Sequence, residues 1–245
     1  MSKIRIHIPQ DRVQSLITLD QKEIVHKLKD VVRLHAGQSV YVFDGCGKEY
    51  VYQVSRSQKD SVVLQSQELV RNEKSTPTRI ALGFPLVKED KTDYILQKAT
   101  ELGVSEFMPF ISSRSIQSSP GSAKCERWRR IIMEAARQSD RLWTPELKDT
   151  CDFPRILQAP CACKIAAHQT GARLDHAGLL SLVKDKKEIL LVVGPEGDFS
   201  DPEIAQLRLH GFIFLNLSDN ILRVETAAAF SVGLLNFLVA AGAGL

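Results

Sequence analysis

From residue 79 onward the chain repeats one pattern: a short apolar run, a polar turn, then a stretch with helical spacing. The runs fall at 80–84, 107–111, 165–167, 189–193 and 213–217. Strands that are short and apolar on both sides belong in a sheet buried on both faces, with the intervening helices covering it. Residues 77–245 are therefore expected to form an α/β domain around a mainly parallel sheet. Its first helix begins near Asp90, carries Tyr94, Ile95, Ala99 and Leu102 on one stripe, and stops at Gly103. A long helix is expected from about 124 to 139. Ser200 and Glu203 have the spacing of a capping box, with Pro202 in the first turn. The last helix, about 225–241, is apolar almost all round and needs burial against the sheet or a second subunit.

The first 72 residues have a different texture. Ile4, Ile6 and Ile8 alternate with polar residues as in a half-buried strand, and strands are expected at 40–43, 50–54 and 62–64. Asp44-Gly45-Cys46-Gly47 is a turn signal between two of them. One helix is expected, opened by a capping box from Thr18 to Gln21, carrying Ile24, Val25, Leu28, Val31 and Val32, and stopped by Gly37. Several short strands and one helix predict a small β-barrel over 1–72. Arg71 to Thr78, without an apolar residue and with a proline, is the expected boundary.

Composition excludes several classes. With 44% hydrophobic and 25% charged residues the chain is globular rather than disordered. No apolar run is expected to span a membrane, and Met1 to Pro9 lacks the apolar core of a signal peptide, so a cytoplasmic protein is expected. Cys161, Cys163 and His168 lie close in sequence, but no second ligand pair stands at zinc-site spacing, so no metal is expected. A net charge of +3 is compatible with a nucleic-acid partner.

Two loops carry the candidate chemistry. Gly194-Pro195-Glu196-Gly197-Asp198 follows the apolar run 189–193, and Ser218 to Thr226 follows the run 213–217. Ligands of open α/β sheets sit beyond the carboxyl ends of strands, and glycines there let the backbone approach a ligand. The alternative for the first loop is a tight turn with no ligand. For the second, Glu225 complements a helix dipole and Arg223 is a solvated charge. The glycines come late in the domain. No Gly-x-x-x-x-Gly-Lys-Ser/Thr loop, no Gly-x-Gly-x-x-Gly after the first strand and no Gly-x-Ser-x-Gly elbow is present, which counts against ordinary NTPase, dinucleotide and hydrolase sites. Arg127, Arg130, Glu134, Arg137 and Arg141 share one helical stripe, either a solvated face or, with Arg114 and the basic segment from Lys88 to Lys98, a track for phosphates.

Ile221 to Ala227 (Ile-Leu-Arg-Val-Glu-Thr-Ala), Gly194 to Gly197, Gln97 to Val104, Arg114-Ser115, Gln138 to Arg141, the stretch 26–33 and Phe43-Asp44-Gly45 together resemble the RsmE family of SPOUT-class methyltransferases. That family modifies N3 of a uridine in small-subunit (16S) ribosomal RNA. The resemblance covers nearly the whole chain. It implies a PUA-like N-terminal barrel, a SPOUT domain with a deep trefoil knot, a homodimer, and S-adenosylmethionine as cofactor. It implies that Gly194, Pro195, Glu196, Gly197, Leu217, Ser218, Ile221, Leu222 and Thr226 hold the cofactor. Arg223 and Arg114 would stabilise negative charge on the uracil, and Glu225 would orient Arg223. Arg33, Lys88, Lys91, Arg127, Arg130 and Arg141 would grip RNA of the small subunit, free or assembled, with no role for DNA or a membrane. The chain departs from the family pattern at Asp198 and Ser218, where glycine is usual, at Asn220 and Val224, usually basic and threonine, and at Arg137, commonly acidic. Two alternatives stand beside this: an RNA-binding assembly factor of the same fold without catalysis, and a methyltransferase of another RNA.

Overall fold

A computed structural model describes residues 3–75, 78–115 and 119–242, apart from the side chains at 23, 27 and 31. Residues 76 and 77 of the expected boundary lie outside this set. The chain divides into two compact units: residues 1–75 with 136–144, and residues 76–135 with 145–245. The segment 136–144 is the addition to a simple cut near residue 75.

The first unit contains β1 (Arg5–His7), β2 (Leu16–Leu19), α1 (Lys22–His26), a π-helical turn (Lys27–Val31), β3 (Ser39–Phe43), β4 (Lys48–Gln58) and β5 (Ser61–Asn72). The strands form one sheet in the order β1-β3-β4-β5-β2, with β1 parallel to β3 and the other ladders antiparallel. Period-two alternation brings Ile17, Val40, Val42, Tyr52, Val54, Val62 and Leu64 into one core with Leu28 and Leu34. Among the described residues no ladder joins β1 to β2, so the expected barrel is a sheet wrapped around its core and not closed by hydrogen bonds. Thr18 does not cap a helix. It lies in β2 opposite Val63, because Ile17 and Leu19 bury themselves at strand spacing. The helical segment ends before Gly37, at a left-handed Arg33 (φ 56°).

The second unit follows as β6 (Arg79–Pro85), α2 (Glu89–Glu101), β7 (Glu106–Ile111), α3 (Ser122–Gln138), β8 (Glu146–Leu147), β9 (Cys151–Asp152), α4 (Phe153–Leu157), β10 (Cys163–Ala172), α5 (His176–Val183), β11 (Glu188–Val193), α6 (Asp201–Leu209), β12 (Ile213–Leu215) and α7 (Val224–Gly242). The sheet order is β12-β10-β11-β6-β7-β8, with β9 also on β7, and every ladder is parallel. Both faces are covered, as the apolar runs require. Ile189, Leu191 and Val193 join Ile95, Trp128, Val183 and Val232 in one core, while Leu190 and Val192 join Phe153, Ile156 and Leu207 in another. Gly103 closes α2 with φ 98°, a conformation open to glycine at little cost.

By length and composition α7, with 19 residues and a mean hydropathy of 1.6, is long and apolar enough to cross a membrane, which corrects the expectation that no apolar run reaches that length. Its inner residues Val224, Ala228, Val232, Leu235 and Leu238 are buried in the sheet core. Phe230 and Phe237 remain exposed.

Candidate active site

The strand order turns back between β6 and β11: β7 lies on one side of β6, and the chain later fills the other side with β11, β10 and β12. Such a switch point opens a crevice beyond the carboxyl ends of the strands. A cleft of about 460 Å³ lies there, walled by residues 167–169 of β10, by the loops that follow β11 and β12, and by the first turn of α2. That size falls within the range that houses cofactor-sized ligands, roughly 300–1,000 Å³.

The loop after β11, residues 194–198, is held from three directions. Lys91 on α2 donates to Glu196 Oε1 at 2.6 Å. Arg114, beyond β7, donates to the Gly197 carbonyl and reaches the Asp198 carbonyl at 3.5 Å. His168 on β10 lies with Nε2 3.1 Å from Asp198 Oδ2. The loop also closes on itself, since Asp198 N–H donates to the Pro195 carbonyl at 2.8 Å. Asp198 adopts φ 60°, a left-handed conformation that glycine takes freely and aspartate tolerates better than most residues. Its Oδ1 accepts the Phe199 N–H at 2.8 Å. The departure from glycine at this position is therefore accommodated by the backbone and used by the side chain.

The loop after β12 is ordered by its own polar side chains. Asn216 donates through Nδ2 to the Gln169 carbonyl (2.8 Å) and through its backbone to the Ala172 carbonyl (3.0 Å). Asn216 Oδ1 accepts the Ser218 N–H (3.0 Å), and Ser218 Oγ accepts the Asn220 N–H (3.1 Å). Serine at 218 thus supplies a turn bond that glycine lacks. Ile221 is 83% exposed at the cleft, and Leu217 and Leu222 are half-buried beside it. An apolar patch on one wall and backbone amides on another fit a ligand with a flat aromatic part and several polar groups.

The predicted site residues divide. Gly194, Pro195, Glu196, Leu217, Ser218, Ile221, Leu222 and Arg223 line the cleft. Gly197 and Thr226 do not: Gly197 turns its carbonyl to Arg114, and Thr226 is exposed on α7. Arg223 is exposed, and among the described residues its guanidinium makes no ion pair. Glu225, in the first turn of α7, does not pair among the described residues with Arg223, which precedes the helix. It faces Lys91 instead, Oε2 to Nζ 3.9 Å, with that oxygen buried and without a hydrogen bond among the described residues. Hydrogen bonding to Glu196 holds the Lys91 ammonium above its ordinary range, and the same bond from Lys91 holds the Glu196 carboxyl below its own.

Of the expected phosphate contacts, Lys91 is a wall of the cleft. Arg127 is bound to both oxygens of Asp93 and to Glu89 (2.6 Å). Arg141 is not on the helical stripe: α3 ends at Gln138, and burial pushes the Arg141 guanidinium down to about 10. Arg33, Lys88 and Arg130 are exposed. Cys161 donates to the carbonyls of Cys163 and Glu188, and among the described residues no group of three or more His, Cys, Asp or Glu is placed to hold a metal. Sequence reasoning missed His168, Gln169 and Asn216 as cleft residues. Their signal was position alone, at or just beyond the ends of apolar runs.

Against known proteins, the pattern of the RNA methyltransferase domain matches residues 74–236, and that of the RNA methyltransferase PUA domain matches residues 19–65. The chain belongs to this RNA methyltransferase family. Its relatives include ribosomal RNA small subunit methyltransferase E of Aquifex aeolicus, 31% identical over 95% of this chain and 99% of the relative. The same enzyme of Synechocystis is 30% identical over 94% of this chain and 76% of the relative. Among solved structures, a methyltransferase of Legionella pneumophila with bound SAM superposes with a TM-score of 0.86 at 27% identity, over 97% of this chain and 98% of that one. The family thus has the two-part fold seen here, with the cleft lying inside the methyltransferase domain.

Proposed function

We propose that the chain methylates N3 of a uridine in small-subunit (16S) ribosomal RNA, using S-adenosylmethionine held in the cleft of the second unit. The observation that carries this is the convergence of two preformed loops, 194–198 and 216–223, on one cleft with an uncommitted guanidinium at its wall. The relatives' names and the SAM bound to the Legionella methyltransferase support it.

When bound, S-adenosylmethionine supplies a methyl group on a positively charged sulfonium. The residues of the chain do the rest. Leu217, Ile221 and Leu222, with the backbone of 194–196, would hold the cofactor in the cleft. Uridine N3 gives up its weakly acidic proton to water, and the base reacts as its anion. Arg223 stabilises that negative charge, and does so better in a cleft than in water. Arg114 serves by holding the loop through the Gly197 carbonyl rather than by touching the base. Lys91 ties the loop to α7 through Glu196 and Glu225. Arg33, Lys88 and Arg130 are the exposed cations for RNA phosphates.

The protein acts in the cytoplasm, on RNA rather than DNA or a membrane, as a homodimer that covers Phe230 and Phe237 of α7. The trefoil knot is part of the same proposal. It is supported by the tight seat of residues 214–216: Ala167 and Ala172 both pair with Leu215, and Asn216 is tied to Gln169 and Ala172.

The test is calorimetric titration with S-adenosylmethionine and with its demethylated product, followed by methylation of small subunits lacking the modification, read by mass spectrometry of the nucleosides. Binding near one site per chain and the appearance of N3-methyluridine are expected. Absence of binding, alone and with subunits added, overturns the proposal in favour of a non-catalytic RNA-binding protein.

A further inference from the structure

Strand β10 does not end cleanly at the cleft. Ala167 and Ala172 are both opposite Leu215, so residues 168–171 form a bulge. The first residue of that bulge is His168. Its side chain is only 6% exposed, packs edge-on against Phe214 with ring centroids 5.4 Å apart, and lines the cleft. Both ring nitrogens are engaged. The Thr170 N–H donates to Nδ1 at 3.1 Å, with the Thr170 hydroxyl 2.9 Å from the same atom. A backbone N–H can only donate, so Nδ1 carries the lone pair and the ring proton sits on Nε2. Nε2 lies 3.1 Å from Asp198 Oδ2, and the other carboxylate oxygen accepts the Phe199 N–H. Asp198 therefore fastens the end of β10 to the loop after β11.

We propose that His168 and Asp198 are positioning residues: a clamp that keeps the loop 194–198 in the shape that receives the cofactor. This rests on the reading of the cleft as an S-adenosylmethionine site. His168 does not act as the base for uridine N3, because its lone pair is already taken by Thr170 and its other ring nitrogen sits against Asp198. The contribution is preorganisation. A loop already fixed when the ligand arrives loses less conformational freedom on binding. The 3.1 Å approach of an imidazole nitrogen to a carboxylate oxygen, at a ring only 6% exposed, supplies that hold. The clamp also gives Asp198 a purpose at a position where the loop conformation alone calls for glycine.

The experiment uses the full chain and four variants: His168→Phe, His168→Gln, Asp198→Gly, and the double variant His168→Phe/Asp198→Gly. Thermal unfolding checks that each folds. His168→Phe removes the polar contact with Asp198 and is expected to weaken S-adenosylmethionine binding about tenfold, roughly 1.4 kcal/mol. KM for the cofactor rises accordingly, and kcat at saturation changes little. His168→Gln, whose amide can still donate to Asp198, recovers most of the affinity. Asp198→Gly weakens binding by a similar factor, and the double variant is no worse than either single one, the mark of two residues acting through one contact. Nitrogen NMR of the imidazole is expected to report the Nε2–H form in the unmodified protein without cofactor, and a perturbed ring in Asp198→Gly. Equal cofactor affinity of His168→Phe and the unmodified chain, or effects that add in the double variant, overturns the clamp while leaving the cofactor site standing. No binding by the unmodified chain overturns the cofactor site and the clamp together.

Discussion

Arg223 and Lys91 are both cations of the cleft, and their surroundings give them different tasks. Arg223 has no anionic partner among the described residues, so its charge is available to a ligand. On the proposed mechanism, Arg223→Ala lowers kcat for methyl transfer by roughly 10²–10³, the loss seen when one donor to a developing anion is removed. Cofactor affinity and melting temperature stay close to those of the unmodified protein. A variant that still methylates at the full rate removes Arg223 from the reaction. Lys91 is committed, bonded to Glu196 and 3.9 Å from a buried oxygen of Glu225. Lys91→Met leaves that oxygen without a nearby cation and is expected to cost about 1–3 kcal/mol in urea unfolding. Lys91→Met/Glu225→Gln should recover a good part of it. Equal stability of the two variants would mean that Glu225 does not depend on Lys91.

At the scale of elements, α6 and β10 support the cleft in different ways. Helix α6 starts directly after the loop 194–198, and its Glu203 is 6% exposed. Burial pushes the Glu203 carboxyl up, but hydrogen bonds from the backbone and hydroxyl of both Ser113 and Ser200, at 2.8 to 2.9 Å, outweigh it and hold the group below the ordinary carboxylate range. A carboxylate depressed in the folded state contributes stability that is present above its unfolded pKa, about 4.3, and lost as pH falls through the folded value. Glu203→Gln should therefore be less stable than the unmodified protein at pH 7, with the gap narrowing as the pH is taken below about 4. A gap that is constant with pH would show that the charge is not what matters. In β10, a Cβ added at Gly171 would meet the backbone of Phe214 and Leu215 at 2.6 Å. Backbone cannot swing aside as a side-chain tip can, so Gly171→Ala is expected to cost about 1–3 kcal/mol and to weaken cofactor binding by moving the loop after β12. Unchanged stability and affinity would mean that the segment has slack.

These two elements also separate what local sequence encodes from what it does not. The capping residues of α6 are three positions apart, and the spacing of Ser200 and Glu203 gave its start correctly. The same spacing at Thr18 and Gln21 misled, because alternating burial of Ile17 and Leu19 placed Thr18 in a strand. The bulge in β10 has no local signature: it exists because residues 168–171 pass over Leu215, more than forty positions away.

At the scale of the molecule, the first unit is completed by residues 136–144. Arg5 is 5% exposed, and its Nε donates to the fully buried Glu49 at 2.7 Å. The rest of its guanidinium donates to the carbonyls of Ala136 (3.1 Å), Arg137 (3.2 Å) and Arg141 (2.7 Å). A fragment of residues 1–75 loses those three acceptors and leaves a buried cation under-bonded, which is costly. Such a fragment is expected to melt well below the whole chain, or without a cooperative transition, when followed by circular dichroism. A fragment that melts sharply at the temperature of the whole chain would show that 136–144 is dispensable.

The sequence by itself determined the two-part architecture, the parallel sheet with its helices, the strand-end placement of the two loops, and most residues of the cleft. Each of these is written in short-range patterns: apolar runs of strand length, helical stripes, caps, and glycines after strands. Only the tertiary structure decided which charges are spent and which are free. It took Lys91 from the expected RNA surface to Glu196, 105 positions away. It turned Glu225 toward Lys91, engaged Arg127 with Asp93, half-buried Arg141, and brought His168 against Asp198. The physical reason is that an ionisable side chain finds its partner through space, after the backbone has brought distant segments together, and a linear pattern carries no record of that distance.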